Sequence, residues 1–294
     1  LTQLSAGAFG SHLALRALAG EGVAATLAPA NALVALGLGL LALAASLAHL
    51  GRPLQAWRAV IGLRHSWLSR EIVAFSAFAG LAVAYAGALW LGPAELGAAR
   101  DGLGVLVAGV GAFGVGCSVM IYAVTGRPWW GRKRTAVRFA LTAVACGLAT
   151  TLAASLAGAL VQGGEATARA ATGAAVPFAL LVAAAMSLKL AGEGAFLLRA
   201  RESTAPETDL DRSARLLLGP DLGGLTRWRF GLGLSGGVVL PLVVAALCAT
   251  PDPSLGAGDL LAVAAALGIV AGELCERAGF FAAVTSPSMP RELP

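Results

Sequence analysis

The chain has 294 residues, of which 57% are hydrophobic and only 13% are charged, and its formal net charge is +5. Its mean hydropathy is +0.79. Soluble globular domains carry about 25% charged residues, so the composition excludes a disordered chain and argues against a soluble enzyme. The apolar segments run without alternating polar residues, which excludes a transmembrane β-barrel. We therefore predict an all-α, polytopic membrane protein.

A membrane-spanning helix needs about 20 apolar residues, and windows of that size predict one domain that is a bundle of eight transmembrane helices. The first span is short and begins without Met, so we expect its start to lie outside this chain. It has neither the basic region nor the cleavage site of a signal peptide. No sequence repeat is convincing, although the count allows a four-plus-four arrangement. The predicted spans are residues 1–19, 28–49, 70–92, 102–125, 136–161, 173–198, 229–250 and 258–285.

Three connecting segments are rich in cations: residues 51–70, 126–138 and 199–229. In an eight-span topology all three lie on one side of the membrane together with both termini, and we call this side the basic face. Of the 21 Lys and Arg residues, 16 fall on the basic face and two, Arg100 and Arg169, on the other. The positive-inside rule puts the basic face in the cytoplasm, which predicts a multi-pass protein of the bacterial inner membrane with cytoplasmic termini.

The sequence shows no clustered metal ligands. Iron–sulfur and zinc sites need clustered thiolates, so the four cysteines, which form no CxxC pair, are predicted to be small core residues. They are Cys117, Cys146, Cys248 and Cys275. A bis-His haem needs two His at matched depth, but His12 lies deeper than His49 and His65, so we expect no haem. We also expect no nucleic-acid binding and no bond-making chemistry from the chain alone.

Ionisable side chains inside a membrane are costly, and each is therefore a functional hypothesis. His49 closes the second span and Glu71 opens the third, and the loop between them returns to the same face. A His and a carboxylate at the membrane edge can exchange protons near neutral pH. A quinone headgroup needs such a proton route, two hydrogen-bonding partners and an apolar slot for its tail. The alternative is that both side chains only cap helices at the interface.

Two later spans carry charges four residues apart on one helical face, Lys189 with Glu193 and Glu273 with Arg277, which is the spacing of pairs within a helix. Glu276 is left over and is expected to reach a different helix. Such charges either fix helix contacts or line a proton path. Tryptophans of the basic-face segments are expected to form an interfacial belt, or else to wall a quinone entrance or a docking surface. They are Trp57, Trp67, Trp129, Trp130 and Trp228.

Four motifs resemble the DMSO reductase anchor-subunit (DmsC) family. They are ASLAHLGRPLQAW (45–57), SWLSREI (66–72), RWRFGLGL (227–234) and AGELCERAGFF (271–281). The HLGxP element, followed about 20 residues later by Ser-x-Glu, is fairly specific. The resemblance implies an eight-helix subunit that holds a molybdopterin catalytic subunit and a four-cluster iron–sulfur subunit on the membrane. It also implies electron exchange with a quinone, ubiquinone or menaquinone, without a haem or iron–sulfur cluster in this chain.

By this resemblance His49 and Glu71 match the family's quinone-site His and Glu. Weaker candidates are polar groups on or near the same face: Arg52, Ser69, Tyr122, Arg229, Glu273 and Arg277. The family includes DMSO reductases, which consume quinol, and cytoplasmic sulfite dehydrogenases, which deliver electrons to quinone; related anchors serve polysulfide and tetrathionate enzymes. In the DMSO reductase anchors the His and Glu lie opposite the basic loops, whereas here they share the basic face. Sulfite oxidation coupled to quinone reduction is therefore expected ahead of quinol-dependent DMSO reduction.

Two other functions compete with this hypothesis. A secondary transporter would use the embedded charges as a coupling path, but it would be marked by broken helices and inverted repeats, which are not evident. A purely structural anchor would leave the quinone to another subunit. We further expect the three basic segments to dock the iron–sulfur subunit, because cations suit an acidic partner surface.

Overall fold

The computed structural model describes residues 2–48, 53–92, 97–202, 208–250, 253 and 255–285. Across these ranges the chain is helical and has no strand, which confirms the all-α prediction. The helices are α1 (Thr2–Ala19), α2 (Glu21–Ala48), α3 (Trp67–Leu91), α4 (Gly97–Ala123), α5 (Arg132–Gln162), α6 (Glu165–Glu202), α7 (Asp209–Leu218), α8 (Gly223–Leu234), α9 (Leu240–Cys248) and α10 (Leu255–Ala282). Short 3₁₀ helices cover Pro53–Val60 and Pro128–Trp130, and a π-helical turn covers Ser235–Val239.

Within the described ranges, seven helices are long and apolar enough to cross a membrane. They are α2 to α6, the continuous α8–π–α9 helix and α10, and they coincide with seven of the eight predicted spans. The remaining span, α1, has the predicted position, and its 18 described residues cover about 27 Å at 1.5 Å per residue. Its polar side chains lower its hydropathy. The predicted count of eight spans is therefore not confirmed.

Helix α1 nevertheless packs inside the bundle, against α2, α4 and α5. Its closest contact is with α5, where Gly7 lies against Gly147: a Cβ on either glycine would collide with the backbone of the other helix. Small residues permit this approach, which van der Waals contact then stabilises in lipid. The hydroxyl of Ser5 donates a buried 2.7 Å hydrogen bond to the Ala35 carbonyl of α2. Glycine and serine thus hold this short helix among the longer ones.

Helix α5 separates two cores of different composition. On one side, α1 to α4 enclose an aromatic cluster in which Phe9 and Phe78 meet edge to face, with ring centroids 5.5 Å apart. On the other side, α5, α6, α9 and α10, joined by a few residues of α1 and α2, supply mainly alanine and aliphatic side chains, together with Phe178. Because α5 contacts α1, α2, α4, α6 and α10, it is the helix that joins the two cores.

The predicted span 229–250 is not one uninterrupted α-helix. Its π turn, Ser235–Val239, precedes Pro241 in the first turn of α9. Proline lacks the N–H that an α-helix would use, and such interruptions are tolerated where neighbouring helices and local π geometry satisfy the backbone. At this turn Gly236 lies against the α10 backbone, where an added Cβ would be 2.9 Å from the Cα of Gly268. The irregular turn therefore marks a close helix contact.

All three basic segments contain helices that the sequence did not predict, and in segment 126–138 it is the 3₁₀ helix Pro128–Trp130. Segment 51–70 forms the 3₁₀ helix Pro53–Val60, on which Trp57 is 67% exposed. Segment 199–229 includes α7, which starts with a capping box between Thr208 and Asp211. The Asp211 carboxylate accepts hydrogen bonds from the hydroxyl and backbone N–H of Thr208, and these lower the pKa of Asp211.

The predicted tryptophan belt is wrong for Trp129, which is only 2% exposed. It packs with Leu217 of α7 and Leu197 of α6, and its indole N–H donates a 3.0 Å hydrogen bond to the Phe280 carbonyl of α10. Burial occurs because α7 folds back over this indole. By contrast, Trp228 is 67% exposed, as an interfacial residue would be.

Candidate functional site

Glu71 lies in the second turn of α3, at the end of the bundle that carries the basic segments. The helix is positioned there by Ser66, whose hydroxyl accepts a 3.2 Å hydrogen bond from the Ser69 backbone N–H. The Glu71 side chain is partly buried, and its carboxylate accepts a hydrogen bond from the hydroxyl of Ser118 on α4. An acidic group is therefore held between two helices near the membrane edge.

The other candidates near this position are Tyr122 and Arg277. Tyr122 follows Ser118 by one turn of α4 and so lies on the same helical face. Arg277 of α10 donates a 3.0 Å hydrogen bond to Gln3 of α1, and its guanidinium lies 3.9 Å above the Phe139 ring. The predicted Glu273–Arg277 pair within α10 is therefore wrong, because Arg277 turns towards α1 and α5 instead.

Two predicted site residues, His49 and Arg52, lie outside the described residues. The approach of His49 to Glu71 stays a prediction for that reason. Ser69 is described, and it is the backbone N–H of this residue, rather than its side chain, that donates to Ser66.

A second cluster, deeper in the bundle, joins four helices through buried ions. Lys189 of α6 forms an ion pair with Glu273 of α10, and their side chains are only 1% and 7% exposed. Thr142 of α5 lies between them: it accepts a 2.5 Å hydrogen bond from the Lys189 ammonium and donates one of 2.6 Å to Glu273. Glu273 is nine residues before the end of α10, about 14 Å along the helix.

Arg229 of α8 extends this cluster. Its Nε and Nη2 atoms donate to the two carboxylate oxygens of Glu193 at 3.0 and 3.1 Å, a bidentate geometry that gives strong pairing. The same Nη2 lies 3.0 Å from a Glu273 oxygen. The sequence placed Arg229 where the basic segment 199–229 meets the predicted span 229–250, and the structure buries it inside the bundle, where it is 3% exposed.

The remaining carboxylate, Glu276, pairs with Arg138 of α5 at 3.1 Å, which confirms that it reaches a different helix. The expected pair of Lys189 and Glu193 within α6 is wrong: each binds a residue of another helix. Three cations and three carboxylates thus balance one another between α5, α6, α8 and α10. Removing one partner from such a buried pair typically costs about 3–5 kcal/mol, so the cluster fixes how these helices meet.

A cleft of about 850 Å³ opens beside the buried ions, between α5, α6, α8 and α10. Its size is in the range of small-molecule binding sites. It combines charged groups from the cluster with apolar walls. The walls include Val137, Leu141, Leu188, Phe196, Leu225 and Phe230. Sequence reasoning selected Arg229 and Glu273 but missed the cleft, because no local pattern reveals which four helices surround a space.

Cys117, Cys146 and Cys248 are buried, as predicted, whereas Cys275 is partly exposed and lines the cleft. In the part of the chain that the structure describes, no three His, Cys, Asp or Glu side chains converge as metal ligands would. His12 is buried, with its ring centroid 5.9 Å from that of Tyr85. These side chains belong to the packing of the bundle.

The fold and its buried charges are those of a multi-pass helical membrane protein. The chain belongs to the DMSO reductase anchor subunit (DmsC) family, whose model matches residues 2–282. A sulfite dehydrogenase subunit of Allochromatium vinosum is 48% identical over 60 residues. That match covers 20% of this chain and 18% of the relative. The family resemblance carried by the four motifs is confirmed.

Proposed function

We propose that this chain is the membrane-anchor subunit of a molybdopterin and iron–sulfur oxidoreductase complex, and that it passes electrons between the iron–sulfur subunit and quinone. The observation that carries the proposal is the family match over residues 2–282. An anchor of this kind needs stable helix contacts and an exposed basic surface. The buried ion cluster supplies the first. The exposed cations of segments 51–70, 126–138 and 199–229 supply the second, apart from those that line the cleft, as the dock for the iron–sulfur subunit.

The quinone headgroup would bind near Glu71, where the basic-face end of α3 meets α4. Glu71 is a partly buried carboxylate at the membrane edge, and Ser118 keeps it in one orientation. A carboxylate there can take or give the proton that accompanies quinone chemistry, with His49 as the second proton carrier. Tyr122, one turn further along α4, offers a hydroxyl to the same region.

Sulfite is the substrate class that we favour for the complex. The similarity to a sulfite dehydrogenase subunit supports it, and the prediction that His49 and Glu71 share a face with the basic segments agrees with it. Sulfite oxidation releases two protons and quinone reduction takes up two. If both half-reactions take place on the same side of the membrane, the coupled reaction moves no charge across it. A quinol-oxidising anchor of a DMSO reductase-type enzyme is the second candidate, favoured by the description of the family model.

Co-purification tests the anchor assignment. The tagged full chain, solubilised in mild detergent from its native membrane, should bring with it subunits that contain molybdopterin and iron–sulfur clusters. Molybdenum and iron would be quantified in the purified fraction. Recovery of the chain alone, with solute transport activity after reconstitution, would favour the secondary transporter instead.

A topology reporter tests the choice between the two substrates. A reporter that is active only in the periplasm, fused after Pro294, should stay inactive because the positive-inside rule puts the basic face in the cytoplasm. A matched fusion in the segment that joins α3 to α4 should be active. The reverse pattern would put the basic face in the periplasm and favour DMSO reduction.

A further inference from the structure

The cleft between α5, α6, α8 and α10 contains more positive than negative charge. Its lining carries six cations but only two carboxylates, Glu193 and Glu276. A third carboxylate, Glu273, lies directly behind Lys189. These three carboxylates are already matched with Arg138, Lys189 and Arg229 in the buried cluster. The cations that remain are Lys133, Arg134 and Arg199.

These three cations share one level of the bundle. Lys133 and Arg134 lie in the first turn of α5, and Arg199 lies in the last turn of α6. None of the three forms an ion pair with another residue that the structure describes. The Arg134 guanidinium lies 3.9 Å above the Phe196 ring, which holds it at the cleft. Its Nη1 atom is buried without a hydrogen-bond partner among the described residues, so an acceptor from a bound molecule would fit there.

The cleft also opens sideways, towards lipid. Val137 of α5 and Leu188 of α6 line it, and they are 57% and 65% exposed on the outside of the helices. A molecule in the cleft would place its polar end among the three cations and its apolar part along these side chains. A quinone is neutral and would leave the cations uncompensated. An acidic side chain of a partner protein would not fill the apolar part.

We propose that this cleft is a binding site for an anionic phospholipid, whose phosphate lies among Lys133, Arg134 and Arg199 and whose acyl chain covers Val137 and Leu188. Basic pockets between transmembrane helices are suited to anionic lipid headgroups. The bound lipid would close the open side of the ion cluster. This inference is independent of the quinone site near Glu71, which the cleft does not include.

Native mass spectrometry provides the first test. The full chain, with any subunits that accompany it, is reconstituted in nanodiscs of phosphatidylcholine with phosphatidylglycerol, and the retained lipids are identified after transfer to detergent. We expect one phosphatidylglycerol per chain to be retained in preference to phosphatidylcholine. The double variant Lys133→Gln/Arg199→Gln should weaken this preference about fivefold for each cation removed, which corresponds to about 1 kcal/mol per cation near a membrane surface. This double variant, which we call the cleft variant, keeps Arg134 and its packing.

The matched control is Arg132→Gln/Arg201→Gln, which removes two exposed cations beside the cleft that do not line it. It should leave the retention of phosphatidylglycerol unchanged. The proposal is overturned if the wild-type chain shows no preference for the anionic lipid, or if the control loses as much as the cleft variant. It is equally overturned if the molecule that the wild-type chain retains and the cleft variant does not is a quinone or inorganic phosphate instead of a phospholipid.

Cys275 gives a second readout at the site itself, because it lines the cleft while the other three cysteines are buried. Its alkylation by N-ethylmaleimide should be slower in nanodiscs with phosphatidylglycerol than in phosphatidylcholine alone. The cleft variant should alkylate at the faster rate in both. If phosphatidylglycerol leaves the wild-type rate unchanged, the lipid does not occupy the cleft and the proposal fails.

Discussion

Lys189 and Glu273 form an ion pair inside the bundle although 84 residues separate them along the chain. Each belongs to a helix that crosses the membrane region, and each side chain is almost fully withdrawn from the surface. Thr142 connects the pair to α5, and Arg229 connects it to α8. Four helices are therefore held by one set of charges rather than by apolar packing alone.

The first prediction concerns this pair. Lys189→Met should destabilise the protein by about 3–5 kcal/mol, because Glu273 would lose its lysine partner while still buried. The double variant Lys189→Met/Glu273→Met should lose less, since replacing both charges with apolar groups is often near neutral. Thermal unfolding in a single detergent would measure the double variant and the two single variants, Lys189→Met and Glu273→Met. If the effects of the two single variants simply add in the double variant, the pair is not coupled.

The second prediction concerns Glu71. Glu71→Gln should lower quinone-coupled turnover of the complex about 10²-fold, the lower end of the contribution of a general acid or base. Activity with an artificial electron acceptor should persist. Ser118→Ala keeps the carboxylate and should have a smaller effect. Glu165→Gln, an exposed carboxylate at the opposite end of the bundle, is the control. Equal loss of both activities in Glu71→Gln would indicate an assembly role instead.

The third prediction compares two glycines of α1. Gly7→Ala should destabilise the protein by about 1–3 kcal/mol, because the new methyl group would overpack the contact with Gly147. Gly10→Ala meets no atom within 4 Å and should be neutral, or stabilising by up to about 1 kcal/mol through helix propensity. Unfolding midpoints would compare the two variants. Equal effects would show that the close approach does not limit stability.

The fourth prediction is a pH dependence of α7. The hydrogen bonds from Thr208 lower the pKa of Asp211 below its ordinary value of 3.8, so the ionised carboxylate stabilises the helix start. This contribution is complete above the ordinary pKa and disappears as the pH falls through the lowered pKa. Hydrogen exchange of the α7 amides, corrected for the intrinsic rate at each pH, should show it. Asp211→Asn should remove this pH dependence, whereas Asp221→Asn should retain it.

The transmembrane helices were predictable because an uninterrupted apolar run is a local property of the sequence. The ends of these helices were harder to predict, because polar turns outside the lipid can remain helical. The predicted span 173–198, for example, is only the middle of the helix Glu165–Glu202. The α7 helix was missed for a related reason, because its polar sequence gives no signal of membrane insertion. Trp129 became buried only through α7, which no local pattern around this tryptophan could indicate.

The partners of the charged residues at the site could not be predicted from the sequence either. Their presence inside spans was visible, and so was their cost in lipid. The spacing of Lys189 and Glu193 satisfies the rule for neighbours along one helix, but it contains no information about which helix crosses α6 at that depth. The actual partners come from α8 and α10. The cleft was invisible to the sequence for the same reason, since it is a space between four separate segments.

The contact of Gly7 with Gly147 has a consequence for biosynthesis. Helix α1, which contains Gly7, has polar side chains that lower its hydropathy, so its contacts with other helices matter for its place in the bundle. Its main partner helix is translated only after three further spans, which takes roughly 7–28 s at 5–20 residues per second. During that interval α2, whose Ala35 carbonyl accepts the hydrogen bond of Ser5, is the partner that α1 already has. The contact between the two glycines therefore forms late, after α1 and α2 have met.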